Sequence, residues 1–521
     1  MIRNNIKKLI SINFIIVFIL SIINLSQISF ASNENAITKG NINVSNIESG
    51  VKVTLYKIAN IEIDEENNVP KEGINWENSV KSWIDEKFPQ YSNTEDFYKQ
   101  TKSYDNNVNT FYEKMISEIR QGILNLDPYM EKSAEGEVIY PVTEENLQGR
   151  VCFDKVDIGT YIVLIEKGYM VYNPSVVNVV PTYKEQTNSW TVDDANVVIK
   201  ASNPSIRKWA SQEGKIRDHY STNDLIPYTI VADVPAYSEN SISKNYSIRD
   251  EIENSLELKD ESMIVLGLKN EDSNQGEVIK DYKLSVTNME TKKSYTFDFD
   301  YNTIKEYTSI KIMYNAMLKK DTNIVIGSKG NNNYAYLYYC SSPYAKATLQ
   351  TKTADKVTIF TYKTDIKSVD KDDNQIVLSK CKFNIEDLNG EKMYFIKLNE
   401  GEYCLAKKSD ENAITDVGAD NKGNIVIKGL DIGEYIIKQV KAPDGYYMST
   451  RSYKVKLEDS NLDGILDEEC GIIFQNSKGF TLPLTGGRGA IIFTSLGIIL
   501  IVSGIVFIIF INKKKKILKN K

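Results

Sequence analysis

The sequence is poor in histidine and cysteine, the residues that carry much of the chemistry of active sites and metal centres. Its 521 residues contain one histidine, His219, and five cysteines. Nucleophilic catalysis needs a nucleophile beside a base, and structural metal sites need clustered ligands. No Ser/His/Asp set, Cys/His set or metal-ligand cluster can be assembled from this sequence. We therefore expect a protein that is not an enzyme, holds no metal and needs no cofactor.

Acidic residues are absent from both ends of the chain. Residues 1–31 carry three basic residues and no acid, and seven basic residues and no acid follow Thr485. Between these ends, 53 basic residues stand against 70 acidic ones, which gives a net charge of −17. A surface of this sign repels a phosphate backbone, so the composition argues against nucleic-acid binding and favours a soluble body.

Long apolar runs are few, and they lie at the ends. Residues 490–511 are uncharged, and a helix of roughly 20 such residues can cross a membrane. The lysines at 513–516 place the rest of the chain outside the cell. A second apolar run, residues 9–23, lies between basic residues and small residues near Ala31. This pattern predicts a signal peptide over residues 1–31. The alternatives are a buried core helix for the first run and an uncleaved anchor for the second.

The body between these ends is rich in short strands. Apolar or alternating runs are separated by Gly, Asn and Asp, as in β-sandwiches; examples are GVKVTLYKI, GTYIVLIE, DKVTIFTYK and GEYIIKQV. Helical spacing appears at residues 108–124, where we expect one amphipathic helix with a face of Phe111, Met115, Ile116, Ile119 and Ile123. We therefore predict an all-β fold of tandem β-sandwiches, with a short helical insertion in the first. The predicted domains are residues 32–203, 204–364 and 365–480, followed by a C-terminal segment over 481–521.

Several motifs resemble those of a known family. The C-terminal segment contains LPLTG, which resembles the LPxTG sorting signal of Gram-positive surface proteins; its residues are Leu482, Pro483, Leu484, Thr485 and Gly486. Three further motifs resemble, in the right order, those of the sortase-assembled major pilins, which are built from immunoglobulin-like domains of the CnaB type. They are GNNNYAYLYYCSSPY, the E-box-like GEYIIKQVKAPDGYYM and FQNSKGFTLPLTGG. A Gram-positive origin is therefore implied.

The resemblance implies a structural role. A sortase would attack the bond between Thr485 and Gly486 and pass the Thr485 carbonyl to an amine of another copy, and finally to peptidoglycan. The chain would contact the membrane only transiently, through the sorting tail. The product would be a covalent pilus, or fimbria, that supports cell adhesion through host surface proteins or glycans. The alternative is a monomeric wall-anchored adhesin or an ancillary pilin.

The resemblance also implies an acceptor lysine. The family motif WxxxVxVYPK is matched imperfectly by WTVDDANVVIK, which offers Trp190 and Lys200. Val197 and Ile199 alternate with Lys200, so the lysine points to the opposite face of a strand, towards solvent. The alternative is an ordinary surface lysine.

Family domains often carry a Lys–Asn isopeptide bond promoted by an acid. A buried lysine loses its charge more readily, and a buried carboxylic acid can shuttle protons while ammonia leaves. In the first domain the resemblance points to Lys57, Asn203 and Glu166, with a snorkelling lysine and a turn asparagine as the alternative. In the second domain it points to a set of three, with Asn333 replacing the usual asparagines: Lys208, Asp250 and Asn333.

The third domain departs from the family pattern. The lysine position is Ser368, the E-box acid is Gln439, and the asparagine is Asn476. Because a hydroxyl replaces the amine and an amide replaces the acid, we predict a hydrogen-bonded set and no isopeptide bond. An odd number of cysteines leaves at least one outside any intramolecular pair. Cys381 and Cys404 lie in neighbouring strand-like runs, where either a disulfide or two small buried side chains would fit.

Overall fold

The computed structural model describes residues 37–67, 69–71, 73–94, 106–136, 148–270, 276–344, 349–479 and 488–518. The chain divides into two compact units: Met1–Asp218 with Leu225–Met317 and Asn331–Ile359, and His219–Asp224 with Leu318–Gly330 and Phe360–Lys521. The predicted signal peptide and the LPLTG motif lie outside the described residues. The division of the body into three domains remains a prediction.

The first part of the first unit is a two-sheet structure with a helical insertion. One sheet has the order β13-β1-β7, and the other has the order β10-β8-β2-β5 with β6 on β2. The apolar side chains that alternate along these strands form one core between the two sheets. The elements are β1 (Lys39–Ile47), β2 (Lys52–Asn60), β3 (Ile63–Asp64), β4 (Val69–Pro70), β5 (Asn75–Trp76), α1 (Asn78–Lys87), a 3-10 turn (Pro89–Tyr91), α2 (Asn106–Gln121), β6 (Met130–Ser133), β7 (Gly149–Asp157), β8 (Gly159–Glu166), β9 (Val171–Tyr172), β10 (Ser175–Val179), β11 (Pro181–Lys184), β12 (Ser189–Val192), β13 (Ala195–Val198) and β14 (Ala201–Ser202).

The helical insertion differs from the prediction at its end. Helix α2 stops at Gln121, so Ile123 lies beyond it and is 58% exposed. The other four residues of the predicted face are buried in a second core, together with Trp83 of α1. The left-handed Gly122 (φ 72°) ends the helix one turn early.

The second part of the first unit contains two larger sheets. Their strand orders are β15-β17-β23-β19-β20 and β16-β26-β24-β18-β22-β21, with β25 paired to β24. The elements are β15 (Ile206–Ala210), β16 (Arg217–His219), β17 (Ile226–Asp233), β18 (Tyr246–Glu253), β19 (Leu256–Leu268), β20 (Glu277–Val278), β21 (Lys283–Asn288), β22 (Lys292–Asp298), α3 (Tyr301–Ile304), β23 (Ser309–Leu318), β24 (Asn331–Cys340), β25 (Leu349–Thr353) and β26 (Val357–Phe360).

The second unit contains one sandwich, here called the C-terminal sandwich, and a long helix. A five-stranded sheet, β29-β30-β32-β27-β35, covers a four-stranded sheet, β31-β28-β33-β34, with one apolar core between them. The elements are β27 (Tyr362–Asp370), β28 (Lys382–Glu386), β29 (Tyr394–Asn399), β30 (Glu402–Ala406), β31 (Val417–Gly418), β32 (Asn424–Leu430), β33 (Gly433–Lys441), β34 (Ser452–Leu457), β35 (Gly471–Asn476) and α4 (Arg488–Leu518).

Helix α4 is the membrane-spanning candidate. Its segment Ile491–Lys514 has 24 residues, long and apolar enough to cross a bilayer, and none of it is buried against the rest of the chain. This is the single such helix among the described residues. The exposed apolar side chains argue against the buried core helix that was the alternative.

Candidate cross-link and anchor sites

Strand β15 carries a lysine into the core of the first unit. Lys208 pairs with Ile230 of β17 and shares the inward face with Ile206 and Ala210, because alternate residues of a strand point the same way. Its side chain is completely buried. A buried lysine needs partners, since an unpaired charge in an apolar core is costly.

Three polar side chains meet at this lysine, and we call them the Lys208 site: Lys208, Asp250 and Asn333. The Lys208 Nζ donates to the Asp250 carboxylate in a very short contact and to Asn333 Oδ1 at 2.5 Å. Asp250 on β18 and Asn333 on β24 belong to paired strands and are both fully buried. The structure therefore brings together all three residues that the resemblance assigned to this domain.

Two tyrosines close the site. The Tyr314 hydroxyl lies 3.2 Å from Lys208 Nζ and accepts from Asn333 Nδ2 at 2.7 Å. The rings of Tyr228 and Tyr314 stack with centroids 5.4 Å apart, and Lys208 Nζ lies 5.5 Å and 5.8 Å from the two centroids. Sequence reasoning missed both residues, although each alternates with buried aliphatic residues on its strand.

Burial shapes the electrostatics of the Lys208 site. It lowers the pKa of Lys208 to about 8, against the opposing attraction of Asp250. Burial also raises the pKa of Tyr314 well above its usual value, and the charge of Asp250 adds to that rise. The tyrosine therefore stays a neutral hydroxyl, while the lysine is poised to lose its proton.

The arrangement fits amide exchange. A proton passed from the Lys208 ammonium to Asp250 leaves a neutral amine beside the Asn333 side-chain carbonyl. Attack by Nζ on Cγ forms an amide and breaks the bond from Cγ to Nδ2. The second proton that Nζ loses passes through Asp250 to Nδ2, which leaves as ammonia, and Asp250 ends protonated. Such a reaction occurs once per molecule and needs no cofactor, metal or oxidant.

The corresponding prediction for the first domain is wrong. In the ladder of β2 and β8, Lys57 lies opposite Tyr161 and Glu166 lies opposite Lys52. Five residues of strand, roughly 17 Å, separate Lys57 from the level of Glu166. The pattern of one strand shows neither this distance nor the register shift between Lys57 and Ala59.

Each of these residues has another partner. Lys57 is half-buried between the rings of Tyr129 and Tyr161, with Nζ 5.8 Å and 5.9 Å from their centroids, and burial lowers its pKa. Glu166 forms an ion pair with Arg120 of α2.

Asn203 meets a different lysine. Its Oδ1 accepts a hydrogen bond from Lys352 Nζ at 2.7 Å. Strand β25 supplies this lysine, and no sequence pattern predicts that β25 lies beside the segment around Asn203.

In the C-terminal sandwich three residues form what we call the Ser368 set: Ser368, Gln439 and Asn476. Gln439 Nε2 donates to Asn476 Oδ1 at 2.7 Å, and Asn476 Nδ2 donates to Ser368 Oγ at 2.9 Å. All three side chains are buried. The structure thus brings these residues together in a hydrogen-bonded set, whereas the neighbouring Lys367 is exposed.

A glycine turn holds Ser368 in place. Ser368 N donates to Gly423 O at 2.8 Å. Gly423 has φ of +74°, and a Cβ there would lie 2.8 Å from Ser368 O. This position therefore requires glycine, for its backbone angle and for the close approach of β27.

The proposed disulfide is absent. Cys381 and Cys404 are both free and buried. Cys381 precedes β28 and contacts Leu378 O, whereas Cys404 in β30 lies 3.8 Å from Thr222 Oγ1. Since the two strands belong to different sheets, their cysteines act as small buried side chains.

Lys200 is exposed and lies between β13 and β14. Val197 and Ile199 are buried, whereas Val198 is 70% exposed. The alternation expected from the sequence is therefore present, and the amine faces solvent. This placement meets the first requirement for an acceptor that another protein must reach.

Comparisons with known proteins agree with this architecture. A family model described as a prealbumin-like fold domain (SpaA) matches residues 363–468. A model described as the LPXTG cell wall anchor motif matches residues 475–517. The trypsin-resistant surface T6 protein of Streptococcus pyogenes serotype M6 is 22% identical over 277 residues. That match covers 50% of this chain and 46% of the relative, so it spans about half the length of that protein.

One solved structure shows the same fold. The T6 backbone pilin of serotype M6 Streptococcus pyogenes, described as a modular three-domain structure, is 18% identical with a TM-score of 0.54. The likeness covers 82% of this chain and 81% of that chain. The full-length major pilin SpaD of Corynebacterium diphtheriae is 15% identical, with a TM-score of 0.49 over 86% of this chain and 99% of that chain.

These findings define the class of protein: a surface protein built from β-sandwiches that carries an LPXTG cell wall anchor motif, the mark of a sortase substrate. Within that class, the chain has the fold and the anchor of the sortase-assembled major pilins.

Proposed function

We propose that the chain is the structural subunit of a covalent surface pilus. Sortase cleaves between Thr485 and Gly486 and joins the Thr485 carbonyl to Lys200 of the next copy; the last copy is joined to peptidoglycan. The anchor-motif match, the unburied span of α4 and the exposed amine of Lys200 support this assignment. Adhesion to host surface proteins or glycans follows as a role of the assembled fibre.

We also propose that Lys208 and Asn333 are joined by an isopeptide bond. The observation that carries this proposal is the buried contact of Lys208 Nζ with Asn333 Oδ1 and the carboxylate of Asp250. The bond would tie β15 to β24, at opposite faces of one core. A shaft under tension gains from such a tie because the 124 residues between the two ends of the bond cannot extend.

Cell-wall extracts test the assembly. With the protein and its sortase expressed together, we expect a ladder of polymers that survives SDS and heat. Lys200→Ala should collapse the ladder to monomer, because no other copy can accept the acyl group. Lys155→Ala removes another exposed lysine and should leave the ladder intact.

Two outcomes would contradict the proposal. A wild-type protein that stays monomeric would favour the alternative, a wall-anchored adhesin or an ancillary pilin. A ladder that survives Lys200→Ala would assign the acceptor to another lysine.

A further inference from the structure

The C-terminal sandwich lies in the path of tension if the proposed assembly is correct. Neighbouring subunits would be attached at Lys200 and at Thr485, so a pulling force would act on the chain between these residues. The force enters the sandwich through the start of β27, at Tyr362, and leaves it through the end of β35, at Asn476. This inference rests on the proposed function for its biological setting, and on the geometry of the sandwich for its content.

Strands β27 and β35 are parallel neighbours. Six residue pairs align, from Asp365 with Gly471 to Asp370 with Asn476. Pulling the beginning of one parallel strand and the end of the other slides them along their common axis. The ladder hydrogen bonds are then loaded together, so the pair resists force before it gives way.

Further hydrogen bonds, from side chains and from the backbone, reinforce this pair without a covalent link. Thr364 Oγ1 donates to Cys470 O at 2.6 Å, and Lys371 N donates to Asn476 O at 2.9 Å. Asn476 Nδ2 donates to Ser368 Oγ and to Val369 O.

The Ser368 set cannot form the bond that the Lys208 site can form. Ser368 offers a hydroxyl in place of an amine, and Gln439 has no titratable proton to shuttle. The nearest lysine along β27, Lys367, points to the opposite, exposed face. The load through this sandwich is therefore carried by hydrogen bonds and packing alone.

We infer that the C-terminal sandwich is the extensible element of the subunit, a module that unfolds under tension and lengthens the fibre while the Lys208 cross-link holds. From Tyr362 to Asn476 the chain has 115 residues. Fully extended at about 3.3–3.6 Å per residue, they reach roughly 380–410 Å. Each subunit would gain most of that length when its sandwich opens, and would recover the fold when the force falls.

Single-molecule force spectroscopy on the mature chain, residues 32–485 with handles fused at both ends, tests the inference. The matched variant is Lys367→Cys with Ile473→Cys. These two residues lie directly opposite each other in the ladder and are both exposed, so oxidation should join them. Wild type should show an unfolding step of about 115 residues in both redox states. The variant should lose that step when oxidised and regain it when reduced.

Several outcomes would overturn the inference: a wild type without this step, an oxidised variant that keeps it, or a mass showing a second ammonia loss within the C-terminal sandwich. The measurement uses a single monomer. A missing ladder in wall extracts would therefore remove the proposed function without changing the force traces, and a missing step would leave the ladder untouched.

Discussion

A variant that cannot form the proposed cross-link between Lys208 and Asn333 is the sharpest test of the chemistry. In Asn333→Ala the amine has no carbonyl to attack, so the bond cannot form, while Lys208 keeps its contact with Asp250. The intact mass of the wild-type protein should be about 17 Da below the sequence value, the mass of ammonia, and the variant should have its full sequence mass.

The stability cost follows from the length of the closed loop. Lys208 and Asn333 are 125 positions apart. In the chain-entropy treatment of cross-links, a loop of this size constrains the unfolded state by about 5 kcal/mol. The lost hydrogen bond between Asn333 and Tyr314 adds roughly 1 kcal/mol. For a cooperative unit of some 150 residues this predicts a fall in melting temperature of roughly 10–20 °C.

Asn331→Ala is the matched control. Asn331 lies on the same strand, is equally buried and donates to Ile359 O at 3.0 Å. It should cost only about 1–3 kcal/mol and should keep the mass deficit, because the Lys208 site is untouched. Differential scanning calorimetry and intact-mass spectrometry check both variants. A wild-type protein at full sequence mass, or equal stability of the two variants, would refute the reasoning.

Two further predictions concern pH and backbone geometry. In Asn333→Ala, Lys208 remains a free amine, and burial lowers its pKa from 10.5 to about 8. Between these two pH values the unfolded chain binds more protons than the folded chain, so the free energy of unfolding should rise with pH from about 8 to 9.5. Urea denaturation should show this rise, and it should vanish when Lys208→Met is added. Gly423→Ala should destabilise the C-terminal sandwich by at least ~1 kcal/mol more than Gly390→Ala; both have positive φ, but only at Gly423 would a Cβ meet Ser368 O. Equal losses of thermal stability in the two variants would contradict the role given to the close contact between Gly423 and Ser368 O.

Strand alternation and the family motifs together predicted the Lys208 site. The motifs supplied Lys208 and Asp250, and Asn333 was chosen because it shares a strand face with Leu337 and Tyr339. Strand alternation was not enough to find Tyr314, because a strand's own pattern does not say which strand faces it across the core.

The same limit explains the failure at Lys57. The direction in which a strand residue points is a local property of the strand. The position of Lys57 along the ladder, in contrast, depends on the pairing of β2 with β8 and on a register shift. Neither is encoded in the pattern of one strand. Asn203 shows the point again, since its partner Lys352 comes from 149 positions away.

The Ser368 set shows how a sandwich can lack cross-link chemistry and still pair the polar side chains of its core. A buried polar group left without a partner costs about 1–3 kcal/mol, so replacing an amine and an acid independently would be expensive. Here Gln439 Nε2 donates to Asn476 Oδ1, and its Oε1 accepts from Ser449 N at 2.9 Å. Asn476 in turn donates to Ser368. The replacements are therefore compatible with one another.

The two kinds of core respond differently to force. An amide bond between Lys208 and Asn333 would not break under loads that unfold a protein, so that part of the chain keeps its length. The hydrogen bonds of the Ser368 set break together with the ladder of β27 and β35, and they re-form when the strands realign, because every donor still has its acceptor. A chain that combines both cores can be strong and extensible at once. The polar groups of both cores are buried, so burial does not account for the difference. The difference arises because one core contains an amine and an acid and the other does not.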